Sequence, residues 1–461
     1  MKRRNLLKLV VLVSLVVVLA TGVPLLSGCF PGKPAAAPPE APPEAQPTAP
    51  PAAAPEPVTI KIGFDAPLTG EAAAWGLPGL YGTYIWIDWY NEAGGITLSD
   101  GTPVLIEMLS YDNEYISDKA LTGARKLILE DGVSMVMMLG GHTTAAAIPF
   151  MTEQQVITTT QVASDLNPTT PYLIATGEIF PLHQAVVSEW WVENCGVENP
   201  RVAQLNADDE IGIPCKAIIS TSVESHGGEM VYNKFCKWDE IDFAPYMSAM
   251  LAADPDILAL VLNPPQVTLM LEQAYLQGWG DAPIYTSTLD MLAEAIDRTS
   301  VEFVSGTVMD FPDFDDPQLS PTENRFYAEY IERYPGQWSA VSWEYYVALD
   351  QIVHAVKICD SVEPMAIFEA MKSGPMPHPF GEGIWWGAEF FGIDNALASP
   401  WPACQVNEDG KRIIMEFRDQ MDWYARNQEL NDQWFESYDW MWYQRMGLTK
   451  EEALQKYGLS D

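Results

Sequence analysis

The stretch Val58-Thr-Ile-Lys-Ile-Gly-Phe-Asp-Ala-Pro-Leu-Thr-Gly70 decides the fold class of this 461-residue chain. Alternating side chains as far as Phe64 predict a β-strand, and the helix-breaking residues that follow predict a turn. Apolar residues then recur at helical spacing up to Tyr90, and the paired glycines Gly94 and Gly95 predict the end of that helix. A strand, a turn and a helix in this order form the first half of a βαβ unit.

The alternation of strand and helix continues along the chain. Five further strand-like runs are each followed by a helical stretch, and they lie at residues 104–109, 133–139, 201–205, 257–262 and 283–286. This alternation of strands and helices predicts an α/β protein with parallel, doubly wound sheets. Residues 58–461 are too many for one compact core and match two lobes.

The C-terminal part combines further helices with a cluster of tryptophans. Helical spacing returns at residues 322–334 and 340–357, and Thr449 with Glu452 forms a capping box that predicts a terminal helix. Four tryptophans crowd the C-terminal stretch, namely Trp423, Trp434, Trp440 and Trp442. Packing into the core is favoured for them over a docking surface.

The N-terminus carries the pattern of an export signal. Basic residues precede an apolar run from Leu9 to Ala20, which is too short to span a bilayer because a spanning helix needs about 20 apolar residues. The segment closes as Leu26-Ser-Gly-Cys29, which resembles a lipobox. In lipoproteins the cysteine thiol takes a diacylglycerol and the chain is cut before it, so residues 1–28 are predicted to be a signal peptide. The alternative is an ordinary secreted protein.

A linker follows the predicted signal peptide, and the chain as a whole is strongly acidic. Residues 29–57 are rich in Pro and Ala and predict an extended tether. The chain has 63 acidic and 25 basic residues, a net charge of −38, so nucleic acid is excluded as a partner because phosphate binding requires a basic surface. Five cysteines besides Cys29 fit no zinc pattern, so no metal or other cofactor is predicted. Outside the cytoplasm a disulfide among them can form, but because five is an odd number at least one thiol stays free or pairs between chains.

Several stretches together resemble a known family. They are Ile62–Gly70, Asp88–Ile96, Tyr111-Asp112, Gly392–Leu397 and Asp409-Gly410. In this order they resemble the type I periplasmic solute-binding proteins that serve branched-chain amino acid ABC transporters. The resemblance implies two Rossmann-like lobes joined by three hinge crossings, with the ligand in the cleft between them.

The resemblance also implies the domain organisation. The crossings are expected near Gly177, Met309 and Pro400. The predicted parts are a signal peptide at 1–28, a lipidated Cys29 with its linker at 29–57, lobe 1 at 58–178 with 310–399, lobe 2 at 179–309 with 400–420, and a Trp-rich extension at 421–461.

Carried over position by position, the resemblance implies a set of ligand-binding residues. Trp75 stands where the family places an aromatic ring against the ligand, although a packed surface tryptophan is an equal alternative. Thr143 and Thr144 fall where a hydroxyl and a backbone N–H hold a carboxylate, which suits a helix N-terminus. The next pocket loop consists of Thr160, Gln161 and Val162.

The later positions depart from the amino-acid binders. Ile211 replaces a pocket tyrosine, and Thr288 stands where an acidic residue pairs with an α-ammonium. Asp290 is the nearest acidic substitute, with helix capping as its simpler role, and Tyr346 belongs to either the pocket or the core. An ammonium buried without a partner costs several kcal/mol. A hydrophobic or aromatic carboxylate, an amide or a urea-like ligand is therefore at least as good a prediction as leucine.

The sequence favours a binding protein over an enzyme. It contains no Gly-x-Ser-x-Gly elbow, Walker loop or His-Glu-x-x-His motif. We expect an extracytoplasmic, lipid-anchored protein whose partners are a small-molecule ligand, the membrane, and the permease and ATPase subunits of an ABC importer. The alternatives are a ligand sensor of the same fold and an extracytoplasmic hydrolase.

Overall fold

Two β-sheets covered by helices make up the part of the chain that the computed structural model describes, residues 55–70, 72–287 and 289–459. The predicted signal peptide, Cys29 and nearly all of the predicted linker lie outside these residues. No helix in the described part is long and apolar enough to cross a membrane.

The strands of the described part are numbered here in chain order. They are β1 (Val58–Ala66), β2 (Ile96–Thr97), β3 (Pro103–Asp112), β4 (Met135–Met138), β5 (Ile157–Thr160), β6 (Leu173–Ala175), β7 (Arg201–Ala207), β8 (Glu229–Cys236), β9 (Ile257–Val261), β10 (Ile284–Thr286), β11 (Val308–Met309), β12 (Met376–His378), β13 (Gly381–Trp386), β14 (Ala396–Ala398), β15 (Trp401–Val406) and β16 (Arg412–Arg418).

The α-helices are numbered in the same way. They are α1 (Ala73–Glu92), α2 (Ser117–Arg125), α3 (Gly141–Glu153), α4 (Leu182–Asn194), α5 (Gly212–Ser225), α6 (Ala244–Ala252), α7 (Pro264–Leu276), α8 (Leu292–Arg298), α9 (Val301–Val304), α10 (Pro321–Arg333), α11 (Val341–Cys359), α12 (Pro364–Lys372), α13 (Ala388–Phe391), α14 (Gln420–Ser437), α15 (Trp442–Arg445) and α16 (Lys450–Tyr457).

The two sheets are parallel at their centres and antiparallel at their edges. The first sheet has the order β12-β13-β14-β6-β5-β4-β1-β3-β2, with parallel pairing from β14 through β3. The second sheet has the order β16-β15-β11-β10-β9-β7-β8, with parallel pairing from β11 through β8. Central strands such as β4 and β9 are buried along their whole length, as sheets covered on both faces require.

The chain passes between the two sheets three times. The passages lie between β6 and β7, between β11 and β12, and between β14 and β15. Gly177, Met309 and Pro400 lie on or beside these passages. The predicted fold class, two doubly wound α/β lobes with three crossings, is confirmed. The residue boundaries of the lobes stay predictions.

Two glycines allow α1 and α5 to start close to the strands that precede them, β1 and β7. A Cβ at Gly76 would lie 1.9 Å from the Pro67 carbonyl oxygen, and a Cβ at Gly212 would lie 1.9 Å from the Ala207 carbonyl oxygen. No side chain fits at such distances, so α1 and α5 approach β1 and β7 only because these positions are glycine. A glycine at the same place in a strand–turn–helix unit is therefore found in both lobes.

The C-terminal extension packs against both lobes. Helix α14 lies on α5 and α4 of the second lobe. Its Tyr424 ring also contacts Trp386 and Phe390 beside the first sheet, with ring centroids 5.3 and 5.4 Å apart. Trp423 and Trp442 are buried, whereas Trp434 and Trp440 are partly buried against the core.

An ion-pair cluster fixes this extension to α4. The buried Glu189 accepts hydrogen bonds from Arg426 at 2.9 and 3.1 Å and from Arg418 at 3.2 Å. Glu193 and His226 lie beside it, and these two side chains with Glu189 bring three possible metal ligands within 4.8 Å of one another. Because the two arginines already neutralise Glu189, the cluster serves as an anchor for the extension rather than as a cation site.

The cysteines do not pair in the way that the sequence made plausible. The five thiols of the described part are free, and they are Cys195, Cys215, Cys236, Cys359 and Cys404. They stand on separate elements of the fold, and four of them are buried as small apolar side chains. No disulfide therefore joins the cysteines of the described part.

We expect the stability of the fold to fall as the pH rises, partly because of Asp65. Asp65 is fully buried at the end of β1, and burial raises the pKa of its carboxyl to about 8. The folded state thus holds a proton that the unfolded state releases near pH 4, which costs about 1.4 kcal/mol per pH unit between those values. The Tm of Asp65→Asn should fall less between pH 5 and pH 8 than that of the parent. An equal fall of Tm in Asp65→Asn and in the parent would contradict this. So would an equally reduced fall in the control Asp118→Asn, which changes an exposed carboxyl.

The extension should be part of the folded core. Trp423→Ala removes a fully buried ring and should lower the unfolding free energy by roughly 3–5 kcal/mol. Trp434→Ala removes a partly buried tryptophan of the same helix and should cost much less. Urea unfolding followed by circular dichroism measures both. Similar losses in the two variants would argue that α14 is only loosely attached.

Candidate functional site

A cavity lies between the two sheets, at the carboxyl ends of their parallel strands. It encloses about 660 Å³ of empty space, part of it continuous with solvent. Its lining follows β1, β4 and β5 on one side and β7, β8, β9 and β10 on the other. Carboxyl ends of parallel strands are where ligands bind in α/β sheets, so this cavity is the candidate ligand site.

Aromatic side chains from both lobes form the walls of the cavity. Trp75, in the first turn of α1, meets Trp238, which follows β8, with ring centroids 5.5 Å apart. Phe180 and Phe311 line the cavity from the first and second passages between the sheets. The walls therefore offer flat apolar surfaces that come together only when the lobes face each other.

Polar contacts also join the lobes across the cleft. The His142 ring lies 2.7 Å from Glu210, and the backbone N–H of Ala340 donates to Asp290 at 2.8 Å. The hydrogen bond to Glu210 raises the pKa of His142. Burial alone raises the pKa of Glu210, but the hydrogen bonds from the His142 ring and backbone outweigh it and bring that pKa to about 2. Together with the tryptophan pair, these contacts describe a closed cleft.

The N-terminus of α3 is occupied by the protein's own carboxylates. The backbone N–H of Gly141 donates to Asp165 at 3.0 Å, and that of His142 donates to Glu210 at 3.0 Å. Helix N-termini are natural anion sites because their first N–H groups lack partners within the helix. Here two acidic side chains of the chain itself take that place.

Two buried glutamates face the interior of the cavity. Glu344, on α11, is 1% exposed, and neither of its carboxyl oxygens has a hydrogen-bond partner among the described residues. Glu178 lies in the first passage, with Oε2 3.4 Å from the His183 ring. Burial raises the pKa of both carboxyls well above the usual value, and Glu344 raises that of Glu178 further by repulsion.

His183 connects Glu178 to a network behind the cavity wall. The ring nitrogen near Glu178 also lies 3.5 Å from Asp310, which accepts the Tyr285 hydroxyl at 2.9 Å. The Trp401 ring packs on the other side of the imidazole, with centroids 4.8 Å apart. These contacts hold the His183 ring in one orientation in the cavity wall.

Four of the sequence-predicted site residues line the cavity. Trp75, Gln161, Val162 and Ile211 all do so. Gln161 is buried, and its side-chain oxygen has no partner among the described residues. Thr288 lies outside the described residues.

The other predicted residues are not among the lining side chains. Thr143 donates to the Gly140 carbonyl at 2.8 Å, and Thr160 donates to Asp165 at 3.0 Å, so both hydroxyls serve the local backbone and loop. Thr144 is buried within α3. Asp290 is bound to the Ala340 backbone, and the Tyr346 ring packs on Phe326 in the core, with centroids 4.5 Å apart.

The sequence prediction missed the charged part of the lining. Glu344 lies in the predicted helix at 340–357, where it interrupts a largely apolar run that includes Trp343 and Tyr345. An acidic residue within such a run is the signal that could have revealed it. Glu178 adjoins the predicted crossing at Gly177. Trp238 lies between β8 and the acidic residues Asp239 and Glu240, in a loop that carries no pattern of its own.

The sequence profile of the family described as "Periplasmic binding protein" matches residues 59–411. No curated protein matches the chain.

Solved structures share the fold at low sequence identity. An ABC transporter substrate-binding protein from Sphaerobacter thermophilus is 21% identical over 79% of this chain and 98% of its own, with a TM-score of 0.66. A solute-binding protein from R. palustris in complex with 4-hydroxybenzoate is 19% identical over 79% and 99%, with a TM-score of 0.65. The branched-chain amino acid transporter protein LivJ from Streptococcus pneumoniae in complex with isoleucine is 20% identical over 78% and 100%, with a TM-score of 0.62.

The profile match spans more than half of the chain, and the two sheets with their three passages agree with it. The chain therefore belongs to the periplasmic binding protein family, with the type I fold that the sequence resemblance implied.

Proposed function

We propose that this protein is the extracytoplasmic, lipid-anchored substrate-binding component of an ABC importer. It captures a small organic solute between its lobes and delivers it to a permease driven by ATPase subunits. The observation that carries this proposal is the cavity enclosed by strand ends of both sheets. Such a space exists only while the lobes face each other, so ligand and closure are coupled.

Contacts across the cleft support capture by closure. Trp75 meets Trp238, and His142 meets Glu210, each pair with one residue from each lobe. The connections at the back of the cleft are three chain passages, which act as hinges when a few residues in them change backbone angles. We propose Trp75, Gln161, Val162 and Ile211 as ligand contacts within this closed state.

The relatives support a small organic solute. The two ligand complexes among the structures described above hold 4-hydroxybenzoate and isoleucine. Both are small molecules with an apolar body, which the aromatic and aliphatic side chains of the cavity can cover.

The lipid anchor is proposed from the sequence around Cys29. Lipidation there, followed by the Pro- and Ala-rich linker at 29–57, would hold the binding domain close to the membrane. Tethering raises the effective concentration of the loaded protein near its permease without any new contact.

Loss of one wall of the cavity should weaken solute binding. A thermal-shift screen of the full-length chain with amino acids, amides, amines and aromatic acids should find a stabilising solute. Trp238→Ala should then weaken its binding, measured by calorimetry, by roughly 5- to 30-fold, since an aromatic contact contributes about 1–2 kcal/mol. Trp434→Ala, a partly buried tryptophan outside the cavity, is the matched control. A folded protein that responds to no solute in the screen would overturn the proposal.

Membrane attachment should depend on a single cysteine. Cys29→Ser removes the only thiol in the lipobox-like segment, so the chain should move from the membrane fraction to the soluble extracytoplasmic fraction. Cys359→Ser changes a partly buried thiol of the binding domain and should leave the distribution unchanged. Fractionation followed by immunoblotting measures both. Full membrane retention of Cys29→Ser would contradict lipidation at this site.

A further inference from the structure

The ionisable side chains that line the cavity are nearly all acidic. Glu178, Asp209 and Glu344 line it together with one imidazole, that of His183. None of the described lining residues is a lysine or an arginine. A ligand with a negative charge would thus meet carboxyl groups with no cationic side chain to pair with.

Glu344 is the group that points most directly to a ligand. Its side chain is buried, it lines the cavity, and both oxygens lack a partner among the described residues. Leaving such a group unsatisfied is costly, because burial removes its water without a replacement. Asp290 stands near enough to repel it, so the protein around Glu344 increases that cost. A ligand group that donates hydrogen bonds to Glu344 would remove this free-energy cost.

The single imidazole does not balance the acidic groups. His183 lies between Glu178 at 3.4 Å and Asp310 at 3.5 Å, on the side of the cavity formed by the first passage. Even when protonated, it offsets only one of these two carboxylates. Glu344, on α11, is therefore available to accept hydrogen bonds from a ligand that enters the cavity.

The position that suits a ligand carboxylate is already filled. The first N–H groups of α3, from Gly141 and His142, donate to Asp165 and Glu210. A ligand carboxylate would have to displace two of the chain's own carboxylates and take a backbone hydrogen bond from each of them. An amino acid would therefore gain at its ammonium group and lose at its carboxylate.

The remaining walls favour a positive charge on an apolar body. Trp75, Trp238, Phe180 and Phe311 present aromatic rings to the cavity. The faces of aromatic rings carry partial negative charge and attract cations, most strongly where water is excluded. The same rings also bury an apolar chain or ring.

We propose that the solute is an organic cation with N–H donors on an apolar body and without a carboxylate, and that Glu344 accepts hydrogen bonds from its charged group. This inference rests on the proposed function, because it names the class of solute that the cleft captures. Amines, amidines and guanidines share the required chemistry.

Binding should release a proton. Burial raises the pKa of Glu344 and Glu178, whose titratable neighbours are Asp290, Asp310 and His183. A cation stabilises the ionised form, so Glu344 loses its proton when the ligand binds. If the ligand ammonium gives up its proton in place of Glu344, binding still releases one proton. Affinity should therefore increase as the pH rises toward the pKa of the empty site.

The experiment compares ligands of one shape and three charges on the full-length chain. Benzamidinium, benzamide and benzoate carry charges of +1, 0 and −1, and phenethylamine differs from phenylalanine only by the carboxylate. Calorimetry at pH 6, 7 and 8 in buffers of different ionisation enthalpy gives affinity and proton release together. We expect the two cations to bind at least tenfold more tightly than their partners, with tighter binding at pH 8 than at pH 6.

Matched variants locate the charge. Glu344→Gln keeps the shape of the side chain and should weaken cation binding by roughly 10- to 100-fold, as expected for a lost charge-assisted hydrogen bond. Its Tm without ligand should rise at pH 8, which shows that the variant folds. Asp350→Asn changes another carboxyl of α11, one that accepts the Trp86 indole N–H and does not line the cavity, and should leave binding unchanged.

The outcomes separate the inference from the proposed function. Tighter binding of benzoate or phenylalanine, with proton uptake, would overturn the cation and leave solute capture standing. Equal binding of the three charges, or unchanged cation affinity in Glu344→Gln, would also overturn it. Silence of the folded protein toward every ligand in both series would count against the cation and the capture function alike.

Discussion

Parallel strands place all their carboxyl ends at one edge of a sheet, and this constraint organises the whole molecule. Two such sheets, connected three times and turned toward each other, bring the loops after β1, β4 and β5 opposite those after β7 to β10. Every side chain in the cavity is held by a strand end, a helix start or a passage. The glycines at the starts of α1 and α5 tighten this arrangement by letting helix and strand approach closely. The cleft is thus a product of topology before any particular side chain is considered.

The distribution of charge within the cleft is uneven in a way that topology does not require. At the N-terminus of α3, Asp165 and Glu210 accept hydrogen bonds from the backbone N–H groups. These N–H groups therefore already have acidic partners within the chain. At α11 the protein buries Glu344 without a partner among the described residues and places other acidic groups nearby. A chain that needed only stability would gain from an amide or an apolar side chain at that position. Retaining the carboxyl is consistent with a role toward something that the chain itself does not contain.

Much of the fold was predictable because its signals are local. The strand at 58–64, the buried runs and the capping box of Thr449 and Glu452 follow from periodicity over a few residues, and each is found where it was predicted. Trp75, Gln161, Val162 and Ile211 line the cavity because their spacing from a strand end is short and fixed. Glu178 and Glu344 depend instead on how a passage and a late helix return to the cleft, which no local pattern encodes. The threonines of α3 are not among the lining residues, since Thr143 donates to the Gly140 carbonyl and Thr144 is buried within the helix.

The C-terminal extension has a mechanical consequence. Helix α14 is fixed to α4 by the Glu189 cluster and to α13 and β13 by aromatic contacts, so it touches elements of both lobes. A body fastened to two moving parts acts as a brace between them, in addition to the three covalent passages. Opening must then either preserve the distance between α4 and α13 or break the Tyr424 contacts. A motion that separates the lobes while the extension stays attached must therefore break the Trp75–Trp238 contact and leave the Tyr424 contacts in place.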